Sequence, residues 1–346
     1  MEHPALSFYQ AQFWTTLGWW LLVRIASGQN LYDVANSSVF TRPSWLAGST
    51  IRRLHAPQTR KLIFCASVAS LGAACSFLGG HDEKSSLTSS VRLGVAFFVS
   101  LYHLLETSTT QRHGEYPLLY NVWAMCIPLP AFASAASLGI AIHFLLSAGL
   151  AKLLVGGRAW FSSATMQHYL SVYRDSRAAP PLSKKANQFI CARPWVATCI
   201  SAATIAVECI LVPLTLFLPP SWRFLATFSV VCMHVGIGAF MSLRVGLVFF
   251  TTLPAYVIGF QSVVACGSTE WWLAALVGLA PSLLVCASRR LLPDIWPCSS
   301  VSLFMWSGEQ ARALSEKLMT RDTRLVVCTS ETLSRQHGII GLPGAP

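Results

Sequence analysis

Residues 118–155 form an apolar run of 38 residues broken by a single charge, Lys152. A helix rises 1.5 Å per residue, and ~20 residues cross the hydrocarbon core of a bilayer. The run is too long for one crossing, and Pro128 and Pro130 sit where they would break a helix. It therefore reads as a short segment, a proline turn and a longer helix over about 133–155. That helix ends at Gly156-Gly157, and Trp160 follows at once. An ammonium at the centre of a span costs ~2.5–3.5 kcal/mol, and much less where the side chain reaches the interface. Lys152 must then snorkel, or face the protein interior against a partner.

The rest of the chain has the same character. Of its 346 residues, 53% are hydrophobic and 11% charged, with a mean hydropathy of +0.53. Soluble domains carry about 25% charged residues, so lipid must cover much of this surface. The expected class is an all-α polytopic integral membrane protein with eight or nine transmembrane helices. Apart from the 118–155 run, spans are expected at 6–26, 62–78, 93–106, 196–217, 224–242, 245–264 and 271–287. Three regions follow: a first span and basic loop (1–60), a transmembrane core (61–290) and a polar tail (291–346). The N-terminus lacks the basic start of a cleaved signal, so its first span is expected to be retained. In the tail, Ala311, Leu314 and Leu318 recur at helical spacing, which predicts an amphipathic helix over 307–321.

The net charge of +11 resides in loops between apolar runs. That distribution follows the positive-inside rule and speaks against a nucleic-acid partner. With the N-terminus outside, the inner side holds loops 29–61, 107–117 and 156–194, the turn at Arg244, and the tail. Eight of the eleven cysteines fall inside apolar runs, where they act as small hydrophobes. There is no CxxC, HExxH, GxSxG, P-loop or GxGxxG pattern, so no metal site and no soluble-type catalysis is indicated.

Function is sought among the ionisable residues inside spans: Glu106, His143, Lys152, Glu208 and His234, with His103 beside Glu106. His103 and Glu106 share a helix face near a helix end, as an interfacial pair or the edge of a polar cavity. His143 and Lys152 are nine residues apart, on opposite faces of a straight helix, so His143 reads as a packing histidine. Lys152 and Glu208 lie on consecutive passes, and each offsets the cost of burying the other. They read either as a structural ion pair or as a base with its modulating acid. His234 sits mid-span among Gly236, Gly238 and Ala239, which permit close helix approach.

A family resemblance adds to this. AGLAKL, then Trp160 and SSATMQHYL, resembles the core of the horizontally transferred transmembrane family, which includes vitamin K-dependent gamma-carboxylase. HGEYPLLYNVWAMCIPLP before it, and AVECILVPLTLF and RFLATFSVVCMHVGIGAFMSLRVGLVFF after it, extend the likeness over about 61–260. The resemblance implies Lys152 as a catalytic base, with Glu208 and His234 shaping its protonation. It also implies a lipid-soluble cofactor, vitamin K hydroquinone or another quinone. A second resemblance competes: GLAKL, AW, TMQHYLSVYRDSRAAPPLSKKANQF and VECILVP also look like lipase maturation factor, an endoplasmic-reticulum membrane chaperone. That likeness implies a non-enzymatic factor, with Lys152–Glu208 holding two helices together and loop 156–194 binding a protein partner. Either likeness implies an endomembrane location such as the endoplasmic reticulum. A small-solute or proton transporter is a third reading, without a visible inverted repeat to support it.

Overall fold

The computed structural model describes residues 16, 18, 62, 86–107, 116–153, 157–174, 181–240, 252–255, 267–287, 294–295 and 298–299. These residues are helical apart from turns and one antiparallel pair, β1 (Asp294–Ile295) with β2 (Cys298–Ser299). The expected spans 6–26, 62–78 and 245–264 and the helix at 307–321 lie essentially outside the described residues.

The described residues include eight helices. They are α1 (Ser86–Thr107), α2 (Tyr116–Ala124), α3 (Pro130–Ala151), α4 (Ser163–Arg174), α5 (Pro181–Cys191), α6 (Pro194–Leu214), α7 (Pro220–Phe240) and α8 (Thr269–Ala287). Among them α3, α6 and α7 are long and apolar enough to cross a membrane. Each of these three begins on a proline. Proline suits a first turn because its missing N–H would be unpaired there anyway, and its φ is already helical. Pro130 therefore starts α3, instead of lying in the turn before it.

Burial separates these helices. Some 89% of the apolar window of α3 is buried inside the protein, against 28% for α6 and 22% for α7. The exposed faces of α6 and α7 are apolar: Trp195, Ile210 and Leu214 on one, Trp222, Phe224, Leu225 and Phe228 on the other. Such surfaces are stable against acyl chains and costly against water.

Two expectations are corrected. Helix α1 begins at Ser86, seven residues before the expected span. Serine and threonine at 86–90 suit a helix start, and Arg92 is buried with Nη1 3.5 Å from the Met125 carbonyl. That carbonyl lies just beyond α2, where a cation complements the unpaired C-terminal carbonyls. The basic loop 156–194 is largely helical, with a 3₁₀ turn (Gly157–Phe161) followed by α4 and α5. Met166 and Leu170 on α4 and Ile190 on α5 bury apolar faces beside Trp160, Ala197 and Ile205. A count of charges hides this pattern, and helical periodicity reveals it.

The chain divides into two compact units. The first holds residues 1–141 and 251–278. In it, Asn121 donates to Thr16 Oγ1 at 2.9 Å and accepts from Ser137 at 2.8 Å. Gly139 allows α3 to touch α8: a Cβ there would lie 2.7 Å from Val277 Cβ and 2.8 Å from the Ala274 carbonyl oxygen. The second unit holds residues 142–250 and 279–346. Gln167 Nε2 there donates to the Cys191 carbonyl at 2.7 Å, joining α4 to the end of α5. Asn187 Nδ2 donates to the Phe240 carbonyl, joining α5 to the last turn of α7. The apolar cluster also takes in Leu153, just past the end of α3.

Candidate functional site

Lys152 lies just past α3, on backbone that has widened from an α to a π turn. Lys152 is 4% exposed, as is Glu208 on α6. Lys152 Nζ donates to both carboxylate oxygens of Glu208, at 2.6 Å to Oε1 and 2.5 Å to Oε2. The pairing expected from the cost of burying either charge alone is therefore present. Trp160, on the 3₁₀ turn and 2% exposed, places its ring centroid 5.4 Å from the same nitrogen. An indole face attracts a cation there, more strongly when water is excluded.

Glu208 also sits on a π turn, Val207–Leu211, where the Val212 N–H bonds back to the Val207 carbonyl. Pro213 supplies the cause. It cannot donate to the Cys209 carbonyl, and its ring would collide with that oxygen in an α-helix. The helix accommodates it by widening one turn earlier. π turns of this kind occur frequently at functional sites, and here both members of the ion pair stand on one.

Gly149 sets the approach of the two helices. A Cβ at this position would lie 2.5 Å from Cys209 Sγ and 2.8 Å from Glu208 Cβ. Gly149 thus serves as a contact point between α3 and α6. His234 on α7 is 1% exposed, and its Nδ1 donates to the Val230 carbonyl at 2.7 Å. Because a carbonyl only accepts, this bond fixes the proton on Nδ1 of the neutral ring. Lys152 and Glu208 are thus in direct contact, while Nδ1 of His234 bonds to a carbonyl of its own helix.

His143 has other partners. Its Nδ1 lies 3.1 Å from both Ser147 Oγ and Ser282 Oγ, and the two hydroxyls are 3.2 Å apart. This is a hydrogen-bonded packing arrangement. The serines carry no signal that separates them in the sequence from other small helical residues. The side chains of His103 and Glu106 lie outside the described residues, although their backbone is part of α1. Among the described residues, no three His, Cys, Asp or Glu side chains converge as a metal site would require.

The geometry supports proton sharing. A lysine and a carboxylate in contact, away from water, form either an ammonium–carboxylate pair or a neutral amine beside a carboxylic acid. Transfer of one proton over the short Nζ–Oε contact interconverts them without moving net charge. The neutral form presents an amine that can take a proton from a third molecule. No protein-family model, curated protein or solved structure matches the chain.

Proposed function

We propose that the chain is a polytopic membrane protein whose working centre is the Lys152–Glu208 pair. Lys152 takes a proton from a lipid-soluble substrate after handing its own to Glu208, and His234 tunes the balance through its fixed dipole. The observation that carries this reading is the two-point contact between Nζ and both carboxylate oxygens. An isolated lysine beside a carboxylate is a poor base, because the negative charge holds its proton. Contact with Oε1 and Oε2 provides a place for that proton to go. A quinol of the vitamin K hydroquinone class fits as substrate through the likeness to the carboxylase family core, and an endomembrane such as the endoplasmic reticulum fits as location.

For topology, we propose eight crossings in a bundle of the horizontally transferred transmembrane type. Helix α2 has nine residues and rises about 13.5 Å, under half of a ~30 Å core. It enters the membrane without crossing. Basic loop 29–61 and the helical segment 156–194 then face opposite sides, unlike the arrangement with both inside.

The competing reading is a non-enzymatic maturation factor in which the pair only joins α3 to α6. The tight Gly149 contact favours it. A double variant separates the two. Lys152→Met/Glu208→Met replaces the pair with apolar groups of similar length, which is often neutral or stabilising, and leaves no amine. The protein in nanodiscs is given vitamin K hydroquinone and oxygen, and epoxide is measured. The proton-transfer reading expects product from the wild type and none from the double variant, with similar melting temperatures. Equal product from both, or none from the wild type, removes this reading and leaves the structural one.

A further inference from the structure

Helix α5 and the start of α6 carry a surface that the ion pair does not use. Lys185, Gln188 and Phe189 are exposed and follow one another at helical spacing. Asn187 and Ile190 are buried on the other side. Lys184 is half-buried beside them, and Arg193 is exposed in the turn that follows. The Arg193 guanidinium lies 3.7 Å from the centre of the Phe189 ring, and Nη1 donates to the Phe189 carbonyl at 3.3 Å. Two residues further on, Trp195 is 68% exposed on the first turn of the α6 span.

Large exposed aromatic rings are unfavourable in water, but they settle at the headgroup level of a bilayer. Cations grouped beside them complement phosphate. Among the described residues from 157 to 219, the only acid is Glu208, whose charge is held by Lys152. Among the described residues, no ion pair engages Lys184, Lys185 or Arg193. We infer that α5 lies along the membrane surface and that Lys184, Lys185 and Arg193 bind the phosphates of anionic phospholipids. Phe189 and Trp195 fix the depth of the helix. The inference rests on α6 being a membrane span, and not on the chemistry at Lys152.

The test uses the full chain in phosphatidylcholine vesicles doped with spin-labelled phosphatidylglycerol or spin-labelled phosphatidylcholine. The fraction of immobilised label gives the preference for the anionic lipid. The wild type should prefer phosphatidylglycerol by roughly threefold or more at low salt. The variant K184Q/K185Q/R193Q should lose at least about half of that preference, and high salt should reduce it in the wild type. An unchanged preference in the triple variant overturns the inference and assigns this basic face to a protein partner. Recovery of the chain in the aqueous fraction instead of the vesicles would overturn the membrane reading itself, so the two failures are distinct.

Discussion

Lys152 and Glu208 were readable as a pair because an unpartnered charge inside an apolar run is expensive, and each run here holds few charges. Their contact through both oxygens makes a definite energetic prediction. Removing one partner leaves a buried charge uncompensated, at about 3–5 kcal/mol. Removing both removes that cost. In a double-mutant cycle, Lys152→Met and Glu208→Met should each lower unfolding stability in detergent, and the double variant should recover most of the loss. Additive effects would mean that the two side chains do not touch. In the sequence Trp160 is legible only as the residue after the helix break. Its position over Lys152 depends on the 3₁₀ turn, which charge and hydropathy do not specify. His143 was correctly separated from Lys152 by helical phase, whereas its two serine partners have no sequence signature.

At the scale of helices, α3, α6 and α7 were legible from length and apolarity. The π turns were not, because they are a matter of backbone register. The one written cue is Pro213, five residues after Glu208. The close crossing of α3 and α6 was also hidden, since a glycine in an apolar helix serves equally as a bend, a contact or neither. Its role here predicts that Gly149→Ala forces the helices apart. The added methyl meets Cys209 Sγ and Glu208 Cβ at once, and overpacking of this kind costs roughly 1–3 kcal/mol. Adding Cys209→Ala should restore only part of the loss, because the Glu208 contact persists. Thermal unfolding of the single and double variants checks this. Complete rescue would place the strain at the sulfur alone. Helices α4 and α5 are not legible as elements because their charges mask a short apolar stripe.

At the scale of the molecule, composition alone pointed to lipid, and the apolar outer faces of α6 and α7 agree with it. Cys199 on α6 and Cys232 on α7 are exposed. In a bilayer both should resist a charged, water-soluble maleimide and react with a lipid-soluble one. Rapid reaction with the charged reagent would place these helices in water. The count of crossings was the least legible property, because it hinges on whether 118–155 passes once or twice. Nine residues in α2 favour one pass. A cysteine introduced by Lys185→Cys and another by Arg53→Cys, in a cysteine-free background, should then label from opposite sides of sealed vesicles. Labelling from one side would restore the second pass.

The buried contact between Lys152 and Glu208 is the centre of the proposed site. A lipid-soluble carbodiimide applied to intact membranes tests it directly, because it joins an amine to a carboxylate only when they already touch. Mass spectrometry of the digested protein should find the Lys152 and Glu208 peptides linked with loss of one water, and Glu208→Gln should abolish the link. Separate modification of Lys152 by a water-soluble acylating reagent, with no linked peptide, would contradict both the pair and its isolation from water.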